Sequence, residues 1–429
     1  MENQIQNIVR KNKEGKDVGI FSVCSANDFV IKASINYAKK NDSVLLIEAT
    51  SNQVDQYGGY TGMTPKDFAK YVANIAAELD FAPEKIILGG DHLGPNRWQS
   101  ENESSAMKKA KEQIKDYVEA GFTKIHLDAS MSLGNEPTKP NGLLDAEVVG
   151  ERAAQLCKIA EQFSPSDNNK PVYVIGTDVP IPGGAKESEQ DIRITPASEL
   201  KETIEITKRK FYENGLQSAW ERVVAVVVQP GVEFSDSQVF EYDKNKAADL
   251  VKTISNYNDI AFEAHSTDYQ QAEKLKEMTE DNFAILKVGP WLTFALREAL
   301  FALELIEQEI VPTDSVSDLR KTIENEMIKN PEYWIKHYHG NDKEKQISRI
   351  YSYSDRIRYY WNNPKVSEAV TKLMQNLENM TIPLTLLSQF LPNQYNEIRK
   401  GKVHNKTEEI IFSKIEEVLS TYQYAVGEK

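Results

Sequence analysis

Short β-branched apolar runs recur through the first two thirds of the chain, and the longer segments between them carry apolar residues at helical spacing. Eight runs stand out: Val18–Val23, Val44–Ile47, Lys85–Leu88, Lys124–Leu127, Val172–Ile175, Val223–Val228, Ile260–Phe262 and Ala284–Val288. Near-continuous apolarity is what a parallel strand needs when helices cover it on the outside. Strand–helix alternation predicts βα units, and eight of them close a (β/α)8 TIM barrel.

After the last run, Gly289-Pro290 leads into WLTFALREALFALELIEQEI, whose apolar residues at 292, 295, 296, 299, 300 and 303 predict a core-facing eighth helix with proline at its start. Beyond Val311-Pro312-Thr313 the β-branched runs stop. Charged helical segments rich in Tyr and Trp follow, among them NPEYWIKHYH and YSYSDRIRYYW. The organisation read from this pattern is a barrel domain over residues 1–310 and a mostly helical C-terminal domain over residues 311–429.

Composition narrows the function classes. The chain has 429 residues, 51 Lys+Arg against 65 Asp+Glu, and a formal net charge of −14. An acidic balance without a basic block excludes the usual footprint for nucleic acid or for anionic lipid. Two cysteines, Cys24 and Cys157, are too few for a disulfide framework and suit a reducing cytoplasm. The first residues hold no apolar segment of the signal-peptide kind, so a soluble cytoplasmic protein is expected.

In a barrel of this class the C-terminal strand ends converge on one mouth. Here they are polar: Glu48 and Asn52 after run two, Gly89-Gly90-Asp91-His92 after run three, His126 and Asp128 on run four, Asp178 after run five. Gln229 follows run six, Glu263, His265 and Asp268 follow run seven, and Lys287 lies on run eight. Residues two apart on a strand share a face, so His126 should project with Asp128, and Glu263 with His265. Bland roles compete: Asp268 as a helix cap, His126 as a core histidine, Arg97 in a surface ion pair, Cys24 as packing. Two histidines with oxygen donors can hold a divalent cation such as Zn, Mn, Ni or Co.

The segments Ile47-Glu-Ala-Thr-Ser-Asn-Gln-Val54, Gly58-Gly-Tyr-Thr-Gly-Met-Thr-Pro65, Leu88-Gly-Gly-Asp-His-Leu-Gly-Pro-Asn-Arg-Trp98, Lys124-Ile-His-Leu-Asp-Ala-Ser-Met131, Val227-Val-Gln-Pro-Gly-Val-Glu-Phe234, Glu263-Ala-His-Ser-Thr-Asp-Tyr269 and Ser354-Asp-Arg-Ile-Arg-Tyr-Tyr-Trp361 closely resemble the Z-subunit family of D-tagatose-1,6-bisphosphate aldolase. The likeness spans nearly the whole chain. It implies kinship with the metal-dependent class II ketose-bisphosphate aldolases, which are TIM barrels. By that resemblance Asp91 is the general acid/base, with Asp128 as a second candidate, and His92 and His265 are metal ligands completed by Asp178 or Gln229. Gln229 stands where those aldolases place a histidine, and Asp178 where members of the family usually carry glutamate.

Substrate contacts are expected from Glu48, Asn52, Arg97, His126, Glu263, Ser266, Lys287 and one of Arg356 and Arg358, the arginines and Ser266 toward a sugar phosphate. The resemblance implies two functions: C4 epimerisation of fructose 6-phosphate and tagatose 6-phosphate or of the free ketoses, or a noncatalytic stabilising partner of the aldolase Y subunit. A barrel mouth lined with carboxylates and histidines favours the enzyme, because such groups add nothing to stability. Homo-oligomerisation is compatible with either. A rival mechanism uses Lys287 as a Schiff-base nucleophile, which requires its ammonium to be easily deprotonated.

Overall fold

The computed structural model describes residues 3–134, 136–138, 142–165, 170–177, 192–378 and 380–427. Its strands are β1 (Ile20–Val23), β2 (Leu45–Thr50), β3 (Ile86–Leu93), β4 (Lys124–Leu127), β5 (Val172–Gly176), β6 (Val223–Val227), β7 (Glu233–Phe234), β8 (Val239–Phe240), β9 (Ala261–Ala264) and β10 (Phe283–Val288). Eight of them close a parallel barrel in the order β1-β10-β9-β6-β5-β4-β3-β2, while β7 and β8 form a separate antiparallel hairpin after β6. Each of the eight apolar runs lies on one barrel strand, so the TIM-barrel class is the fold of the chain.

Two strands outrun their apolar pattern furthest. β2 continues to Thr50 and β3 to Leu93, because Glu48, Ala49 and Thr50 still pair with Gly89, Gly90 and Asp91. The ladder between β3 and β4 then shifts between Gly90 and Leu93, and His92 within that irregularity has φ 49°.

The barrel interior is layered. At the N-terminal end, Ile20, Leu46, Ile87, Val172, Val174 and Val224 form a buried cluster with Ile5, Ile8 and Val9. Those last three lie on the helix Gln4–Lys13, one face of which plugs the barrel bottom, and Asn12 ties it down through bonds to the Val18 and Thr279 carbonyls. Above this apolar floor the interior carries charge.

Helices cover the outside, and the helix Pro290–Ile310 begins as its proline predicts. The region beyond it is helical, and its last helix, Thr407–Val426, packs on Asp28–Lys40, Ala272–Glu280 and Pro290–Ile310. One buried hydrophobic cluster runs from barrel residues such as Phe68 and Phe262 into Leu373, Leu387 and Ile411. Among the described residues no helix is long and apolar enough to cross a membrane.

Candidate active site

Gly89 shows why the strand ends can carry so much charge. It sits on β3 between Glu48 of β2 and Lys124 of β4 on one rung, and a Cβ there would come within 2.7 Å of the Glu48 side chain. With glycine in between, the Lys124 ammonium lies 2.5 Å from Glu48 and 2.6 Å from Glu263, all three fully buried. Lys287 enters from β10, ion-paired with Glu48 and 2.8 Å from Asp91. Sequence reading missed Lys124, since a lysine opening an apolar run looks like a solvated strand boundary.

Three histidine rings sit above this charged layer, with centroids 4.9 Å (His92–His265), 5.2 Å (His92–His126) and 5.2 Å (His126–His265) apart. Each has one ring nitrogen against a carboxylate: His92 Nδ1 on Asp128 at 2.8 Å, His126 Nδ1 on Asp91 at 3.0 Å, His265 Nε2 on Glu263 at 3.0 Å. Carboxylates orient metal-ligating histidines by such contacts; the second nitrogen of His92, Nε2, lies 3.6 Å from Asp91. The open Nε2 of His126 is buried without a hydrogen-bond partner. Ligand atoms of Asp91, His126, Glu263 and His265 lie within 4.8 Å of one another.

The charges fit a cation. Four buried carboxylates (Glu48, Asp91, Asp128, Glu263) share the strand-end layer with two lysines (Lys124, Lys287), so these six groups carry 4 − 2, a net −2, when the histidines are neutral. A divalent ion offsets that excess. Burial pushes His265 down to about 3, which keeps it the neutral imidazole a metal needs. Burial alone would lower His92 too, but the Asp91 and Asp128 carboxylates outweigh it and raise the ring. For Asp91, burial is outweighed by His92 and Lys287, which hold the carboxyl well below its usual range.

Backbone strain marks the same place. His92 (φ 49°) and Ser266 (φ 54°) are both left-handed, a conformation that costs a non-glycine residue of order 1–3 kcal/mol and is retained where the surroundings impose it. Gly94 adds a close approach: a Cβ there would meet the Asp128 carbonyl at 1.8 Å, so glycine lets the β3 turn pass under the β4 end.

A cavity of about 110 Å³ opens on this cluster; Asp91, His92, His265 and Lys287 form its floor, and Asn52, Ser266 and Asp268 its rim. Its other wall comes from the C-terminal region: Arg358, Tyr359, Trp361 and Asn362 cross the barrel's own mouth. The loop after β9 and the helix Pro290–Ile310 hold that segment. Tyr269 donates to the Tyr353 carbonyl at 2.6 Å, and Asp355 accepts from Thr293 at 2.6 Å beside Arg297.

Other expected residues are placed differently. Asp128 accepts from Asn96 and from the Ser130 amide and hydroxyl as well as facing His92, and is committed to orienting that ring. The Gln229 side-chain oxygen accepts from the Gly231 and Val232 amides within its own turn. Asp178 lies outside the described residues. Arg97 is ion-paired with buried Asp55 and Arg356 donates to the Tyr333 carbonyl, and neither reaches the cavity. Asp268 caps the last barrel helix, accepting from the Gly289 and Trp291 amides, and burial raises it to about 6. Lys287 is pushed the wrong way for a Schiff base, since its carboxylate neighbours outweigh burial and hold it well above its ordinary value.

A charged, histidine-bearing cluster at the strand ends of a closed parallel barrel lies where TIM-barrel enzymes carry their active sites. The chain belongs to the family described as D-tagatose-1,6-bisphosphate aldolase subunit GatZ/KbaZ-like, matched over residues 5–427. It is similar to the crystal structure of a probable tagatose 6 phosphate kinase from Sinorhizobium meliloti 1021, with 43% identity and a TM-score of 0.88 over 95% of this chain and 100% of that one. More distant likenesses, each 12% identical with a TM-score of 0.46, are the YdjI aldolase from Escherichia coli K12 (73% of this chain, 89% of that) and the fructose-bisphosphate aldolase from Campylobacter jejuni (86% and 91%).

Proposed function

We propose that this chain is a divalent-metal-dependent 4-epimerase of ketoses or ketose phosphates, acting by retro-aldol cleavage and re-addition. The observation that carries the reading is the buried trio of His92, His126 and His265, each backed by a carboxylate, with His92 and His265 lining a cavity. The substrate class is supported by tagatose, which recurs in the family description and in the name of the 43% identical relative.

The C4 hydrogen of a ketose is not acidic, so inversion there is easiest through the C3–C4 bond. His92, His126 and His265, with a carboxylate, would hold the cation, which when bound supplies Lewis-acid polarisation of the substrate carbonyl. Asp91 takes the proton of the C4 hydroxyl as the C3–C4 electron pair moves toward C2, leaving an aldehyde and an enediolate. The aldehyde turns its other face, the bond re-forms, and a proton returns to O4. Lys287 pairs with Asp91 and Lys124 with Glu263, so Asp91 enters the cycle ionised and able to take that proton.

Asp128→Asn should fold normally and weaken metal binding about 10–100-fold, the usual cost of removing a carboxylate that orients a ligating histidine. Elemental analysis after dialysis against graded chelator reads this, and unchanged occupancy would remove His92 from the ligand set. Arg358→Lys should raise KM for a ketose 6-phosphate about tenfold and leave a free ketose nearly unchanged, because a lysine cannot reproduce bidentate phosphate contact. Equal effects on both substrates would mean that Arg358 serves packing alone.

The description of the family as an aldolase subunit favours a second reading, a stabilising partner for the Y subunit. The two part on one experiment: an enzyme turns over its ketose as a purified single chain, whereas a stabilising subunit changes only the durability of its partner.

A further inference from the structure

Inversion at C4 sets a geometric demand that Asp91 alone does not meet. Once the aldehyde has presented its other face, its oxygen no longer points where the departing hydroxyl proton went. We infer that Tyr359 is a second catalytic residue, donating its phenolic proton to O4 on re-addition in one direction and accepting it in the other. This rests on the retro-aldol reading above.

Tyr359 lines the cavity with Asp91, His92 and His265 but comes from the segment that crosses the mouth. Its ring is fixed on two sides, stacked on Tyr333 at 4.8 Å and 6° and set edge-on to Tyr60 at 4.8 Å. Its oxygen accepts from Arg358 Nη2 at 2.9 Å. A guanidinium only donates, so the phenolic proton stays available, and among the described residues no acceptor takes it. Burial would raise this phenol, yet the Arg358 and Arg356 guanidiniums outweigh it and hold the hydroxyl below its ordinary value, which stabilises the phenolate left after transfer.

The balance closes over a turnover. Asp91 gains the proton of the original C4 hydroxyl as C3–C4 breaks, and Tyr359 gives one proton to the new C4 alkoxide as C3–C4 re-forms. One proton passing from Asp91 to Tyr359 through cavity water, or a turnover in reverse, restores both groups. No oxidant or further reactant is consumed.

Tyr359→Phe keeps both ring contacts and removes only the hydroxyl. Fructose 6-phosphate and tagatose 6-phosphate are each incubated with carbon-labelled glyceraldehyde 3-phosphate, the fragment released by C3–C4 cleavage. The unaltered chain should place label in both epimers. The Tyr359→Phe chain should label one epimer within about twofold of the unaltered rate and the other about 10²–10⁴-fold more slowly. Label entering both at their original ratio, or lost equally from both, overturns the role of Tyr359. Absence of label from both epimers with the unaltered chain overturns the retro-aldol reading, and Tyr359 with it. Independently of turnover, alkaline absorption titration of the unaltered chain should show a phenol ionising below the ordinary tyrosine range that Tyr359→Phe lacks; a low-ionising phenol retained in the variant also overturns the inference.

Discussion

Asp91→Asn should remain folded, keep its metal, and lose about 10²–10⁴-fold in turnover, the range that a positioned proton-transfer group contributes. Asparagine matches aspartate in size but cannot take up a proton. Its oxygen can still accept from Lys287, now 2.8 Å from Asp91, so the charged layer keeps its shape. Turnover with and without added metal separates the outcomes. Near-normal turnover would move proton transfer to another carboxylate, and loss of metal would make Asp91 a ligand. Michaelis constants should change little, because the group acts when the C3–C4 bond breaks.

Lys124→Met should cost about 3–5 kcal/mol of stability, as removal of one partner from a buried ion pair generally does. Methionine fills most of the lysine volume, so the loss isolates charge from packing. It removes the nearest lysine from Glu263, 2.6 Å away, and one of the two lysines on Glu48, 2.5 Å away, both carboxylates being fully buried. Burial raises Glu263, and Lys124 is the strongest of the neighbours that together hold it below its ordinary value. In the native protein this depression stabilises the fold above the ordinary glutamate pKa, and the contribution fades as pH falls through the lowered one. Without Lys124 the balance moves toward burial, which raises Glu263 against Lys287 and His265 alone, so protonating it relieves part of the deficit. The deficit in denaturation midpoint should therefore shrink as pH drops from neutrality. A cost below about 1 kcal/mol would mean that water or rearrangement already solvates this layer.

The barrel was legible because a parallel strand buried on both faces cannot avoid an apolar run, and the chain carries one such run per barrel strand. Chemistry blurred the boundaries. β2 and β3 continue through Glu48 and Asp91, whose polarity looks like a strand end until the carboxylates are seen to find lysines inside the barrel. The helix Gln4–Lys13 shows Ile5, Ile8, Val9 and Asn12 at helical spacing, but nothing local says that this face closes a barrel floor. Within the site, the pairing of Glu263 with His265 followed from strand periodicity. The pairing of His92 with Asp128 joins different strands and depends on the β3 irregularity, which no local pattern encodes. Of Arg356 and Arg358, one donates to the Tyr333 carbonyl and the other lines the cavity.

The stereochemistry of C4 in the product decides whether the chain is a 4-epimerase. The purified chain, with no partner subunit, is freed of metal by chelator, resupplied in turn with Zn, Mn, Ni or Co, and given fructose 6-phosphate while NMR follows C4. Tagatose 6-phosphate should form with at least one metal, and none should form in chelator or with His265→Ala. Failure to invert C4 with every metal, for both the phosphate and the free ketose, would contradict the 4-epimerase reading.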